Sequence, residues 1–294
     1  MVEDIAGPWS HRQAIVDGVR LHYVEAGEGP LVVLLHGFPA FWYAWRDQIP
    51  ALAAAGYRVV APDMRGYNLS EKPPGVPSYR VEALTADVAA LIRHLGAEER
   101  AAVVGHDWGG AVAWQLPVFH PEVVERLAVL NAPHPGALLR ELRMLEQLRR
   151  SWYIAFFQLP WLPELALRAG DAALLRRLLR QDPVRPGAFD DADIQRYVDA
   201  LMQPGAATAT LNYYRALVQR NPLELSRQLQ QPVAVPTLLI WGQQDRFLGP
   251  RLTEGLARWV PDLRIERIAD AGHWVMADAP ERVNELLLAF LHGA

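Results

Sequence analysis

Cysteine is absent from the 294-residue sequence. Disulfide bonds, thiolate metal sites and cysteine nucleophiles are therefore excluded, and the composition fits a reducing compartment. Lysine is almost absent as well, because Lys72 is the only one and arginine supplies the remaining basic side chains. The formal net charge is −4, which predicts neither a nucleic-acid partner nor a polybasic membrane patch.

Long apolar runs are also missing. No segment reaches the roughly 20 apolar residues that span a bilayer. The first segment, MVEDIAGPWSHRQ, has neither the basic region nor the apolar region of a secretory signal. We therefore expect a cytoplasmic protein. An apolar fraction of 51% and a charged fraction of 21% are typical of a globular chain with a large core.

Strand and helix patterns alternate in the first half of the sequence. An alternating segment turns at Asp17-Gly18, which predicts a hairpin. Helical patterns cover residues 81–95 and 110–119. Between them lie apolar runs typical of strands buried on both faces, namely LVVLLHG, AGYRVVAPDMRG, AAVVGHD and RLAVLNAP. This alternation predicts an α/β fold with a mostly parallel central sheet flanked by helices.

The rhythm changes between about residues 134 and 229. This segment has no strand pattern and is rich in leucine, arginine, alanine and aromatic residues at helical spacing. Afterwards come the strand PTLLIWG, a predicted helix near residues 251–260, the strand LRIERIAD and a helix over residues 280–291. We therefore predict a core formed by residues 1–133 and 230–294, and a helical cap, or lid, formed by residues 134–229.

Four polar motifs follow the predicted strands. AAVVGHD is followed by a turn and a helix, the form of a nucleophile elbow, with Asp107 where a serine usually stands. HGFP follows an earlier strand, Asp245 follows LLIWG, and His273 follows the last strand. Carboxyl ends of parallel strands share one edge of a sheet, so we expect these residues to meet there. Their order of nucleophile, acid and histidine is that of α/β-hydrolases.

An aspartate nucleophile points to an electrophilic carbon rather than to a carbonyl group. A carboxylate can displace a leaving group from sp3 carbon and form an ester with the substrate. A histidine oriented by an acid can then activate the water that hydrolyses this ester. Alone, an aspartate is usually a turn former and a histidine a surface residue. Together, Asp107, Asp245 and His273 favour catalysis on an epoxide or an alkyl halide.

The sequence resembles the epoxide hydrolases of the α/β-hydrolase family over nearly its whole length. The resemblance depends on HGFP, APDMRGYNLSEKP, GHDWGG, the helical segment, WGQQD and AGHW. It implies that the backbone N–H groups of Phe38 and Trp108 form an oxyanion hole. It also implies that Tyr153 in SWYIAFFQLP and Tyr214 in LNYYRA are the acids that protonate the opening ring.

Two other activities and a non-catalytic role remain open. Haloalkane dehalogenases usually carry Asn or Glu at the position of Phe38, and fluoroacetate dehalogenases carry arginine at the position of Trp108, so both are disfavoured. A binding protein that has lost catalysis could share the fold. The fold also offers a second position for the acid, but Asn131 occupies it and cannot ionise, so the acid is predicted at Asp245.

The expected ligand is a small lipophilic epoxide. Aromatic residues close to the motifs are expected to line an apolar pocket for it, namely Phe38, Trp42, Trp108, Phe157 and Trp274. The mechanism needs no cofactor and no metal, and the sequence has no His/Glu cluster with the spacing of metal ligands. Neither a nucleic-acid partner nor a membrane span is expected, and a homodimer remains open.

Overall fold

A computed structural model describes residues 5–96, 100–219, 221 and 231–293. The strands are β1 Ser10–Val16, β2 Val19–Ala26, β3 Leu31–Leu35, β4 Arg58–Pro62, β5 Ala101–His106, β6 Val124–Leu130, β7 Thr237–Gly242 and β8 Leu263–Ile268. They form one sheet in the order β1-β2-β4-β3-β5-β6-β7-β8. β2 pairs antiparallel with β1 and β4, whereas the other neighbours are parallel. The predicted hairpin and the mostly parallel sheet are confirmed.

The central strands are buried on both faces because helices cover both sides of the sheet. Every residue of β5 and β7 is buried. Along β3, Val32 and Leu34 belong to one hydrophobic cluster, and Val33 and Leu35 belong to another. Since side chains alternate between the faces of a strand, both faces require apolar residues. The sequence of such a strand therefore reads as a continuous apolar run.

Helices flank the sheet and form a separate segment between β6 and β7. They are α1 Gln48–Ala54, α2 Val81–His94, α3 Trp108–Phe119, α4 Pro135–Glu141, α5 Leu145–Arg150, α6 Trp152–Phe156, α7 Leu162–Gln181, α8 Asp191–Leu201, α9 Ala206–Val218, α10 Val275–Asp278 and α11 Pro280–Leu291. α1 and α11 pack into the cluster on one face of the sheet, and α2 and α3 into that on the other. Within the described ranges, no helix is both long and apolar enough to cross a membrane.

Helices α4 to α9 lie between β6 and β7, and we call residues 135–218 the helical insertion. Helix α7 is interrupted at residues 169–172, where Gly170, Asp171 and Ala172 have φ values of 59°, 56° and 54°. Three successive left-handed residues cannot continue a right-handed helix, so α7 has two separate halves. The predicted end of the cap, at residue 229, lies outside the described residues.

The prediction of a helix near residues 251–260 is wrong. Two short 3-10 helices, Pro250–Thr253 and Leu256–Arg258, occupy this region. Between them Gly255 has a φ of 64°, which ends any right-handed helix. The apolar spacing that suggested a helix comes from Leu252, Leu256 and Val260, which are buried against the sheet.

The turn from β5 into α3 depends on close packing. Asp107 has φ 51° and ψ −117°, a conformation that side-chain-bearing residues rarely adopt. A Cβ atom on Gly109 would lie 2.1 Å from the carbonyl oxygen of Leu35, and one on Gly105 would lie 2.4 Å from that of Gly109. The two glycines therefore let α3 begin directly against the sheet, and this places Asp107 at the sheet edge.

Candidate active site

The predicted polar residues lie at the carboxyl edge of the parallel strands. Asp107 follows β5, Asp245 follows β7 and His273 follows β8, while Phe38 follows β3. β3 is hydrogen-bonded to β5, and β7 is hydrogen-bonded to β8. The loops after these strands therefore lie together, and they bring Asp107, Asp245 and His273 into one group.

These three side chains form a connected row. His273 Nδ1 lies 2.8 Å from Asp245 Oδ2, and His273 Nε2 lies 3.7 Å from Asp107 Oδ2. The rings of Phe247 and Trp274 pack on the imidazole, with centroids 5.3 Å and 5.6 Å away. Because Asp245 accepts the Nδ1 proton, Nε2 is the ring nitrogen that faces Asp107.

Asn131 has a role that the sequence analysis missed. Its Nδ2 donates to Asp245 Oδ2 at 2.8 Å, and its Oδ1 accepts from the backbone N–H of Gly242 at 2.8 Å. The backbone N–H groups of Phe247 and Leu248 donate to Asp245 Oδ1 at 2.8 Å and 2.9 Å. Both oxygens of this buried carboxylate are therefore hydrogen-bonded. The available signal was the place of Asn131 directly after β6, the neighbour of β7.

Two backbone N–H groups are directed at the Asp107 carboxylate. That of Phe38 donates to Oδ1 at 2.7 Å, and that of Trp108 is within hydrogen-bonding reach. His36 supports the loop that carries Phe38. Its Nε2 accepts from the N–H of Met64 at 3.0 Å, so its Nδ1 holds the proton and donates to the carbonyl of Gly37 at 3.0 Å.

Burial and nearby charge set the protonation of the row. Burial alone would lower the pKa of His273, but Asp245, Asp107 and Asp182 outweigh it and raise that pKa to about 9. Burial raises the pKa of Asp107, while His273 and the two backbone donors oppose the rise. We assign the pair as a carboxylate beside an imidazolium, because each charge stabilises the other.

Tyr153 of α6 and Tyr214 of α9 face Asp107 from the helical insertion. Their rings meet edge to face with centroids 5.8 Å apart, and both side chains line the same cavities as Asp107. Burial, reinforced by the charge of Asp107, raises the pKa of both hydroxyls, so they are neutral phenols. The indole N–H of Trp108 is within hydrogen-bonding reach of the Tyr214 oxygen.

Polar contacts inside the helical insertion fix the two tyrosines relative to each other. Arg215 donates to both carboxylate oxygens of Glu164, at 2.7 Å and 3.1 Å, and to the carbonyl of Phe157 at 3.1 Å. Gln158 Nε2 donates to the carbonyl of Tyr214 at 3.2 Å. These bonds join α9 to the end of α6 and to the first half of α7.

Asp182, directly after α7, connects the helical insertion to the loops that carry Asp245 and His273. Its carboxylate accepts from Trp274 Nε1 at 3.0 Å and pairs with Arg246 at 3.1 Å. Trp274 and Arg246 directly follow His273 and Asp245 in the chain. Asp182 therefore holds the insertion against both loops and adds a negative charge near the imidazole. No sequence motif marked this residue.

A cavity of about 520 Å³ lies beside Asp107 and His273. Side chains of the helical insertion, mostly apolar, form much of its wall. Phe38, Phe157 and Trp274, which the sequence analysis assigned to the pocket, line this cavity. Trp108 lines a second, smaller cavity on the other side of Asp107.

Trp42, also assigned to the pocket, lines neither of these cavities. Its side chain is fully buried and packs against the rings of Trp9 and His11, with centroids 5.1 Å and 5.5 Å away. The 3-10 helix Trp42–Trp45 turns this indole into the core. Nearness to the HGFP motif in sequence therefore did not bring Trp42 to the site.

The groups around Asp107 define what the arrangement can do. Across the part of the chain that the structure describes, no group of three or more His, Asp or Glu side chains could hold a metal ion. The site contains a carboxylate, an imidazole, two backbone N–H donors and two phenols. This set can attack carbon, activate water, stabilise an oxyanion and protonate an oxygen leaving group.

Comparison with known proteins gives consistent matches. Residues 30–280 match the family model described as alpha/beta hydrolase fold. The AB hydrolase superfamily protein YfhM of Bacillus subtilis is 45% identical, with 94% of this chain and 95% of that protein covered. Epoxide hydrolase 4 of Homo sapiens is 37% identical, with 93% and 76% covered. The Bacillus megaterium epoxide hydrolase crystallised with an inhibitor has a TM-score of 0.87 at 33% identity, with 96% and 100% covered.

The sheet topology, the turn at Asp107 and these matches all indicate the same family. The chain belongs to the α/β-hydrolase fold family and, within it, to the epoxide hydrolases. The family resemblance inferred from the sequence motifs is thereby confirmed.

Proposed function

We propose that this enzyme converts lipophilic epoxides into vicinal diols through an ester on Asp107. One observation carries the proposal: two neutral phenols, Tyr153 and Tyr214, line the same cavity as Asp107 and His273. A phenol is needed to open an epoxide, because the departing oxygen is a strong base. Relatives that are named epoxide hydrolases support the same reaction.

The first step opens the ring. Oδ1 of Asp107 is engaged by the N–H of Phe38, so we assign Oδ2 as the oxygen that attacks an epoxide carbon. As the new C–O bond forms, the ring C–O bond breaks and its electron pair passes to the epoxide oxygen. Tyr153 or Tyr214 gives that oxygen a proton and becomes a phenolate. The product of this step is a hydroxyalkyl ester of Asp107.

The second step cleaves the ester at its carbonyl carbon. His273 first passes its own proton to the phenolate. The neutral imidazole then takes a proton from water, and the hydroxide attacks Cγ of Asp107. The N–H groups of Phe38 and Trp108 stabilise the oxyanion that forms on the aspartate. Collapse breaks the bond from Cγ to the diol oxygen, which receives the proton from His273. The proton left on the carboxyl group passes to His273 and restores the resting carboxylate and imidazolium, so one epoxide and one water give one diol.

The charge of Asp107 links the two steps. While it is ionised, it reinforces Asp245 in raising the pKa of His273, and it reinforces burial in raising the pKa of the two phenols. Ester formation removes this charge, so the pKa of His273 falls, its proton passes to the phenolate and the neutral base becomes available after alkylation. The same change stabilises the phenolate that ring opening produces. Each step thus prepares the protonation state that the next one needs.

Turnover and isotope labelling test the proposal. We expect styrene oxide to give its diol with no added cofactor. In a single turnover in heavy-oxygen water, with enzyme in excess, the label should enter the peptide containing Asp107 and leave the diol unlabelled. Direct labelling of the diol, with none in the peptide, would rule out the ester. Halide release from haloalkanes without diol from any epoxide would favour a dehalogenase, and neither activity would favour a binding protein.

The pH dependence of ester hydrolysis is a second test. Hydrolysis requires neutral His273, so its rate should rise with pH through the pKa of His273 in the ester. Asp182→Asn removes one of the carboxylates that raise this pKa and leaves Arg246 unpaired, so the profile should move to lower pH, by up to about one unit. The other neighbours of the ring are Asp245 and His106, whose own pKa is lowered by burial.

The measurement is the single-turnover rate of ester decay between pH 5 and pH 9. Asp171→Asn is the control, because Asp171 is an exposed carboxylate in the break of α7 and its loss should leave the profile in place. An unchanged profile in Asp182→Asn would contradict the assigned influence of Asp182. A hydrolysis rate independent of pH would contradict His273 as the base.

A further inference from the structure

Exposed apolar side chains are concentrated on the helical insertion. Among the described residues, twelve large hydrophobic side chains are exposed, and ten of them lie between residues 139 and 174. Single exposed apolar residues are normal on a protein surface, but a concentration of them marks a surface that binds another body. We call six of them the apolar face, namely Leu145, Leu148, Trp152, Trp161, Leu162 and Leu165.

Helical spacing aligns the first three of these side chains. Leu145, Leu148 and Trp152 stand at positions i, i+3 and i+7 along α5 and α6. The N–H of Ser151 donates to the carbonyl of Gln147, so the helical turn continues from α5 towards α6. All three side chains are exposed, and they therefore form one apolar stripe on the outer side of these helices.

The start of α7 carries the rest of the apolar face. Leu162 and Leu165 stand one turn apart on this helix, directly after Trp161. Glu164 of the same turn is bonded to Arg215 of α9. The side of α7 that carries Glu164 thus packs on the insertion, and the side that carries the two leucines faces outward.

Trp161 is held outward at a cost in free energy. Its side chain is 78% exposed, and its φ of 59° is a left-handed conformation that bulky residues rarely adopt. Burial of the indole does not offset this cost, because so little of the side chain is buried. An indole has an apolar body and one N–H donor, which suits the boundary between lipid and water.

The apolar face lies in a basic part of the chain, although the whole chain has a net charge of −4. Residues 135–181, which form α4 to α7, contain eight arginines and only four acidic residues. Arg149 follows Leu145 by four positions, and Arg168 follows Leu165 by three, so each lies beside the apolar face. Both arginines are exposed.

The four acidic residues of this segment are each paired with an arginine, and they are Glu141, Glu146, Glu164 and Asp171. Arg149 and Arg168 form no ion pair within the described part of the chain. Their charges can therefore meet an anionic surface. A second copy of this chain is a poorer partner, because a twofold contact would set the same arginines against each other.

The apolar face also borders the mouth of the larger cavity. Trp152 and Leu174 line that cavity, yet they are 66% and 54% exposed. A side chain that lines a cavity and faces solvent lies at its opening. A protein bound here would cover the opening, whereas a bilayer holds the kind of lipophilic compound that an apolar cavity admits.

We propose that the apolar face is a membrane-docking surface that binds the enzyme to bilayers containing anionic phospholipids. The tryptophans and leucines enter the boundary between head groups and acyl chains, and Arg149 and Arg168 bind lipid phosphates. The chain then lies on the bilayer and does not span it. Docking does not depend on the proposed hydrolysis, which only explains why the larger cavity opens beside lipid.

Sedimentation with lipid vesicles tests the docking surface. The wild-type protein should bind vesicles made of equal parts phosphatidylglycerol and phosphatidylcholine, and should bind phosphatidylcholine vesicles about 20-fold more weakly. Trp161→Asn should weaken binding to the anionic vesicles about tenfold, because it removes an apolar anchor, while asparagine tolerates the left-handed backbone. Arg149→Gln combined with Arg168→Gln should weaken it about 20-fold, since each arginine near the surface contributes about fivefold.

Two controls make the same kinds of change outside the helical insertion. Ile15→Thr removes an exposed apolar side chain from β1, and Arg12→Gln combined with Arg282→Gln removes two exposed charges. Both controls should bind vesicles as the wild type does.

Three results would overturn the docking surface: no binding of the wild type to anionic vesicles, equal binding to both kinds of vesicle, or unchanged binding in either the Trp161 or the arginine variant. Self-association that Trp161→Asn abolishes, without vesicle binding, would assign the apolar face to a second copy instead. Vesicle binding is measured without epoxide, so a failure of the proposed hydrolysis would leave this result unaffected.

Discussion

Replacing His273 with glutamine is expected to stop the enzyme at the alkylated state. Asp107 can still attack the epoxide, because the two tyrosines and the backbone donors are untouched. Without the imidazole no base activates water, so the ester persists and steady-state diol formation falls about 10³-fold to 10⁴-fold. Intact-mass measurement should show one epoxide added per protein, and peptide analysis should place it on Asp107.

The control for this experiment is the same variant with Asp107→Asn added. It lacks both the nucleophile and the base, so its mass should stay unchanged after exposure to epoxide. Unmodified His273→Gln protein, under conditions in which the wild type turns over, would contradict a two-step route. An adduct on any other residue would contradict Asp107 as the nucleophile.

Removing both phenolic hydroxyls is expected to abolish ring opening rather than ester hydrolysis. Tyr153→Phe and Tyr214→Phe keep the rings, which pack edge to face with Phe157 and with each other. Each single variant keeps one acid and should retain residual rate, whereas the double variant should lose about 10⁴-fold in alkylation rate. Alkylation is measured as single-turnover loss of epoxide together with the appearance of the ester.

Tyr213→Phe provides the matched control for the tyrosine experiment. Tyr213 precedes Tyr214 on α9, but its hydroxyl donates to the carbonyl of Arg65 at 2.7 Å. Its loss should lower the free energy of unfolding by about 1–3 kcal/mol, because a buried carbonyl loses its donor. The alkylation rate should remain near that of the wild type. Full activity in the Tyr153/Tyr214 double variant would remove the assignment of these phenols as acids.

The central sheet could be predicted because each of its parallel strands is specified locally. β3, β5 and β7 are short apolar runs, and burial on both faces requires that composition whatever the neighbouring strand is. The region of residues 251–260 could not be predicted in the same way. Its leucines have helical spacing, but the left-handed backbone of Gly255 outweighs that pattern.

The same distinction applies to the site. Asp107, Asp245 and His273 each follow a strand, so their meeting follows from the geometry of parallel strands. Asp182 meets Trp274 across 92 positions of sequence, and Asn131 meets Asp245 across 114. Such roles depend on tertiary contacts that one sequence does not display. Trp42 shows the converse error, because closeness along the chain does not fix the direction of a side chain.

The interruption of α7 at residues 169–172 divides the helix into two halves, and only the first is bonded to Arg215. The first half of α7 carries Glu164, which anchors Arg215 beside Tyr214, and adds Ala166 and Leu167 to the wall of the larger cavity. The second half contributes Leu174, Leu175 and Leu178 to the wall of the larger cavity. Substitutions in that half can therefore reshape the larger cavity while Tyr153 and Tyr214, the proposed proton donors, keep their positions. A library that varies these leucines alone should explore new substrate shapes with the proposed ring-opening residues intact.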